Sequence, residues 1–106
     1  MLALILAGLR LQKSSIRTTG EARLVVTSIG SKSEENYKID KTTALNLLRE
    51  KHNATLKHAF IECIDNVCAD SGYWWLLLVN GKESSESAFS YYVKGGDIIE
   101  FRFSKK

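Results

Sequence analysis

Apolar and polar positions alternate along most of this chain, and the stretches that break the alternation carry the most information. Residues 21–29 (EARLVVTSI) are dominated by β-branched side chains and stop at Gly30 and Ser31, which predicts a strand. Residues 36–40 (NYKID) alternate Tyr37 and Ile39 against polar neighbours and predict a second strand pairing back on the first. Ala44, Leu45, Leu47 and Leu48 then recur at helical spacing, with Asp40, Thr42 and Thr43 as candidate caps and Arg49, Lys51, His52 and Asn53 suited to a helix end. Residues 59–64 and 67–69 predict strands around Asp65-Asn66, a pair that tolerates positive φ in a two-residue turn. Residues 73–79 predict a strand closed by Asn80-Gly81, and residues 88–93 and 97–103 two more, joined by Lys94-Gly95-Gly96.

The resulting order is ββαβββββ. It predicts an α+β domain with a β-grasp-like mixed sheet in one layer and one helix packed across it. Two stretches do not alternate. Residues 73–79 (YWWLLLV) are apolar on both faces, with Tyr73, Trp75, Leu77 and Val79 on one side and Trp74, Leu76 and Leu78 on the other. That pattern fits a strand buried on both faces, or one that leaves an aromatic patch for a ligand or partner.

Residues 1–9 (MLALILAGL) are the other stretch, followed by Arg10, Lys13 and Arg17. As a helix nine residues rise about 14 Å, short of a bilayer core of about 30 Å, so they do not span a membrane as they stand. Three readings are open: a truncated signal or membrane anchor, a segment packing on its own domain, or an apolar arm inserting into a neighbouring copy by strand donation. Residues 10–20 are largely polar, so residues 1–20 read as an arm with its linker and residues 21–106 as the domain.

Composition narrows the function classes. At 106 residues, 44% hydrophobic and 25% charged, the chain suits one ordinary core. Its net charge of +3 comes from scattered basic residues, without the stripe a nucleic-acid binder presents. Cys63 and Cys68 flank the Asp65-Asn66 turn and face each other at a non-hydrogen-bonded site, where Cα atoms lie about 4.5 Å apart. A disulfide is the favoured reading, and with it an oxidising compartment; two reduced thiols are the alternative. The series His52, His58, Cys63, Cys68 matches no compact zinc spacing, so no metal site is expected. Asn53-Ala54-Thr55 is a glycosylation sequon in an exported chain. No nucleophile elbow, phosphate loop or zinc-protease motif occurs, and Ser84-Ser85-Glu86-Ser87 reads as a polar loop; an enzyme is not expected.

Tyr73-Trp74, Leu76-Leu77, Val79-Asn80-Gly81, Ser90-Tyr91-Tyr92 and the run from Lys94 through Gly95-Gly96-Asp97-Ile98-Ile99 to Glu100 together resemble the transcobalamin-like C-terminal domain family over the last third of the chain. The resemblance implies a β-grasp-like domain, usually exported. In the family's vitamin-binding members it closes over cobalamin against a larger helical domain that has no counterpart in this sequence. It also implies that Tyr73, Trp74, Trp75, Tyr91 and Tyr92 act as apolar walls. The expectation is therefore a non-enzymatic, exported or surface-displayed binding or adhesion module. The alternatives are a self-assembling filament-type subunit joined through residues 1–9, and a binder of a corrinoid or other hydrophobic ligand.

Overall fold

The computed structural model describes residues 18–106, so the readings of residues 1–9 and of the linker up to residue 17 lie outside the described residues. Strands β1 (Thr19–Ser28) and β2 (Ser31–Asp40) form a long hairpin and are followed by helix α1 (Ala44–Arg49). Then come β3 (Ala54–Lys57), β4 (Phe60–Ile64), β5 (Val67–Cys68), β6 (Tyr73–Val79), β7 (Lys82–Glu83) and β8 (Ile98–Lys105). The polar linker expected to reach residue 20 is already strand from Thr19.

The strands do not make one layer. Five form a mixed sheet in the order β2-β1-β8-β6-β7, and β3-β4-β5 form a separate antiparallel sheet. In the larger sheet β8 is central, parallel to β1 and antiparallel to β6. The alternation of β1 and β8 puts Ala22, Leu24, Val26, Ile99 and Phe101 on one face, where Ala44, Leu47 and Leu48 of α1 join them in the core. Phe101, Ile99, Leu47 and Leu48 are fully buried, each contributing about 1.5–3 kcal/mol relative to exposure. The opposite face is largely polar: Thr27 donates to Glu100 (2.9 Å), which also pairs with Arg102 (3.0 Å).

Two expectations are corrected. Residues 88–93 form no strand. They run past the start of α1, where the Tyr91 and Ala88 carbonyls accept from the Ala44 and Leu45 N–H groups, both at 2.9 Å. A helix start leaves such donors unsatisfied, and Thr43 meets another by accepting from Asn46 N–H (3.2 Å). The segment therefore serves as a backbone cap, tied to Thr43 by a single β-bridge at Tyr92. The second correction is the added strand β3. It joins β4 through His58-Ala59, both at positive φ (52° and 71°), although neither residue type announces such a turn.

The smaller sheet is held at its tip by the Cys63–Cys68 disulfide, with the two residues paired across the turn as the spacing predicts. Asp65 in that turn ties the sheet to the end of α1. Its carboxylate contacts His52 Nδ1 (2.5 Å) and accepts from Asn53 N–H (3.0 Å).

Candidate functional site

Strand β6 behaves differently at its two ends. At its C-terminal end Asn80 and Gly81 both take positive φ (54° and 86°), closing the turn to β7. The Asn80 side chain donates to Asp97 (2.9 Å) and accepts from Ile98 N–H (2.7 Å). Asp97, buried at 6% exposure, also accepts from the Tyr91 hydroxyl (2.7 Å) and Lys94 N–H (2.8 Å). The Lys94 ammonium donates to the Tyr91 oxygen (2.9 Å) and lies 4.6 Å from the ring centre. Burial pushes the Asp97 carboxyl up, but these donors and the nearby ammonium outweigh it and hold it below the usual carboxylate range. Gly95 is required by close approach, since a Cβ there would sit 2.6 Å from the Thr19 carbonyl oxygen.

Of the residues that carry the resemblance, Asn80, Tyr91, Lys94, Asp97 and Ile98 converge on a hydrogen-bonded brace. Tyr91 sits inside it and Tyr92 lies outside, 54% exposed. The sequence-predicted wall of five aromatics is not brought together. Tyr91 and Tyr92 belong to the Asn80 end, whereas Trp74 lies six residues away along the strand, about 20 Å.

At the N-terminal end, Tyr73 stacks on Phe103 with ring centres 5.3 Å apart, and Trp75 packs on the same ring at 4.9 Å. Trp75 is turned into the core at 8% exposure, its indole N–H donating to the Val67 carbonyl (2.9 Å) beside the disulfide. Trp74 points to the other face and is 46% exposed. Beside this half of β6 lies a slot of about 270 Å³ whose walls include Phe60, Ile61, Trp74, Leu76, Glu83 and Glu86. Residues from both faces of β6 line it, so the slot runs along the edge of the strand.

That edge is open because β7 pairs only with Leu78 and Val79. Tyr73, Trp75 and Leu77 turn their backbone groups outward, away from β8. The Leu77 carbonyl accepts from Ser84 N–H and the Tyr73 carbonyl from Asp70 N–H, both at 2.9 Å. Among the described residues, Trp75 N–H, Trp75 C=O and Leu77 N–H have no such partner.

Sequence reasoning missed Phe60 and the loop of residues 83–88. Phe60 reads as an ordinary strand residue until the His58-Ala59 turn leaves it 76% exposed. The sequon is accessible, since Asn53 and Thr55 are both exposed. His52 and His58 do not gather with the cysteines, which are joined to each other. No group of three or more His, Cys, Asp or Glu suited to a metal occurs among the described residues.

Comparison with solved structures finds the same fold in haptocorrin in complex with Cbi, with a TM-score of 0.71 and 22% identity. The match covers 88% of this chain but only 27% of the haptocorrin chain. A Ruminococcus gnavus protein described as a candidate metal binder matches with a TM-score of 0.70 and 18% identity, covering 82% of this chain and 98% of its own. A comparison with curated proteins gives no match. Residues 41–105, from the residue before Thr42 through the Asp97 brace to β8, match the family described as "Domain of unknown function (DUF4430)", and the chain belongs to that family.

Proposed function

We propose that the chain is a non-catalytic, exported binding module of β-grasp-like design, which recognises an apolar partner in the slot beside β6. The observation that carries this reading is the conjunction of an exposed indole, a neighbouring exposed phenyl ring and an open strand edge at one place. A soluble domain rarely leaves such a combination uncovered unless something docks there. The Cys63–Cys68 bridge supports the exported half of the reading, because disulfides persist in oxidising compartments. Surface display and adhesion are the settings in which such a module would work.

A second reading, favoured by the fold shared with a Cbi-bound protein, is a corrinoid or other hydrophobic-ligand site. Size weighs against it as an enclosed site. Pockets that enclose drug-sized ligands measure about 300–1,000 Å³, and the slot offers about 270 Å³. A corrinoid could therefore touch only its edge through this chain alone. Metal binding, carried over from the Ruminococcus gnavus neighbour, finds no donor set among the described residues, and both cysteine sulfurs are bonded to each other.

Tryptophan emission tests the site directly, because Trp74 stands at the slot's rim and Trp75 in its floor. Titration of the full chain with the apolar dye anilinonaphthalene sulfonate should give saturable binding that Trp74→Ala removes. Binding indifferent to that substitution overturns the slot as the site. Saturable quenching by cobalamin, lost with the same substitution, would favour the second reading.

A further inference from the structure

We infer that the slot beside β6 receives the quaternary ammonium group of a small molecule, held by the Trp74 and Phe60 rings and the carboxylates of Glu83 and Glu86. The inference rests on the proposed binding slot and names the chemistry of its occupant. Strand register brings these groups together. Glu83 pairs with Leu78, so it shares the face of β6 that carries Leu76 and Trp74. Glu86 reaches the same slot from the loop that follows, and the His58-Ala59 turn presents Phe60 from the smaller sheet. Both rings are open to a ligand, Trp74 at 46% exposure and Phe60 at 76%. The face of an aromatic ring attracts a cation, and the methyl groups of a quaternary ammonium also bury well on apolar walls.

Charge sets the sign of the occupant. The chain is basic overall at +3, yet the charged side chains that line the slot, Glu83 and Glu86, are both carboxylates. Neither has an ion-pair partner among the described residues. The basic residues around the slot are placed or tied elsewhere. Lys82 precedes Glu83 and Lys57 pairs with Phe60, but neither lines the slot. Arg102, opposite Leu76, donates twice to Glu100, at 3.0 and 3.1 Å. The Lys94 ammonium feels the Glu86 charge but donates to the Tyr91 oxygen at 2.9 Å.

The closed end of β6 shows the same combination completed from within. There the Lys94 ammonium lies 4.6 Å from the centre of the Tyr91 ring and close enough to Asp97 to feel its charge. The open end has rings and carboxylates, and no cation of the chain sits over Trp74 or Phe60 among the described residues. Hydrogen bonding then narrows the class of cation. Ser84 donates to the Glu86 carbonyl (2.9 Å) and accepts from Glu86 N–H (3.0 Å), and Ser87 bonds to Ser90 (3.1 Å). With these hydroxyls spent inside the loop, a cation that has no N–H groups to satisfy fits better than a primary ammonium or a guanidinium. The volume of about 270 Å³ suits a compact free molecule.

The test titrates the full chain with choline and with its neutral isostere, in which a tert-butyl group replaces the trimethylammonium. Tryptophan emission and the methyl proton resonances of each ligand report binding. Choline should bind saturably, about tenfold more tightly than the isostere, and its methyl signal should move upfield over the rings. Added salt should weaken choline alone. Glu83→Gln with Glu86→Gln should remove most of the tenfold gap while tightening binding of the anionic anilinonaphthalene sulfonate, so a lost charge and a damaged slot give opposite results. Trp74→Ala should abolish binding of all three. Equal affinity for choline and its isostere overturns the inference, and so does choline binding that ignores the double Glu substitution. If choline fails to bind while the dye still binds at Trp74, the ammonium site falls and the binding slot stands. Failure of both removes both.

Discussion

The two ends of β6 are separated by only a few residues, yet they are built on opposite terms. At the Asn80 end both oxygens of a buried carboxylate are satisfied, and Asn80, Tyr91 and Lys94 brace it in a closed network. At the Trp74 end an indole stands in solvent and backbone donors face an open slot. The most recognisable residues, Val79-Asn80-Gly81 and Gly95-Gly96-Asp97, lie at the closed end. A motif made of turn glycines and a buried carboxylate is demanded by architecture, since few other residues satisfy positive φ, close approach and a buried acceptor together. A docking surface asks only for apolar area and exposure, which many sequences provide.

The difference is most sharply tested by Asp97→Ala. It leaves the Tyr91 hydroxyl, the Asn80 amide and Lys94 N–H without their acceptor in a buried setting, at a cost of about 3 kcal/mol. Urea unfolding should show a lower midpoint with an unchanged slope, while dye binding at Trp74 persists below the transition. Loss of the dye site without loss of stability would mean that the brace and slot are one site.

Next in size is the disulfide. Replacing Cys63 and Cys68 together by Ala should lower stability by about 2 kcal/mol, the low end of the usual range, because the loop it closes is short. Trp75 anchors to Val67 in the same hairpin, so thermal unfolding should begin earlier and the slot's floor should loosen with it. An unchanged melting temperature would remove the hairpin from the account of how the slot is held.

Acid should separate the two ends as well. Asp97, Asp65 and Glu100 all have carboxyl pKa values held below their ordinary ones, because hydrogen-bond donors and nearby cations outweigh the effect of burial. A depressed carboxyl contributes stability that is complete above the unfolded value of about 4 and is lost as pH falls through the folded value. Unfolding midpoints at pH 7 and pH 3 should therefore differ in wild type and differ less in Asp97→Asn. An equal pH dependence in both would assign the acid loss to the other depressed carboxyls, Asp65, Asp70 and Glu100.

Much of this arrangement was legible in the sequence, for identifiable reasons. Asp65-Asn66 and Asn80-Gly81 announce their turns chemically, and the first of these placed the Cys63–Cys68 pairing. Thr43 and the four apolar residues after it fixed the helix. What failed was tertiary. Residues 88–93 have strand composition, but their carbonyls are used by the first turn of α1, a demand invisible to local pattern. The His58-Ala59 turn lacks the usual residue types, which hid β3 and let Phe60 pass as an ordinary strand residue. Among the predicted aromatic walls, spacing alone could not show that Tyr91 would be drawn to Asp97 while Trp74 stayed outside.

The smallest expected effect on stability bears most directly on function. Trp74→Ala removes a large side chain that is 46% exposed and has no hydrogen-bond partner among the described residues. Truncation there leaves no sealed cavity, so the unfolding free energy should change by no more than about 0.5 kcal/mol. Trp75→Ala, by contrast, empties a core position against Phe103 and orphans the Val67 carbonyl, and should cost about 3–5 kcal/mol. Adjacent residues of the same type would then differ several-fold in stability cost, with only the cheaper one removing dye binding from an otherwise native fold. If Trp74→Ala proves as destabilising as Trp75→Ala, the indole is a structural element of the sheet, and the open edge of β6 loses its claim as the docking surface.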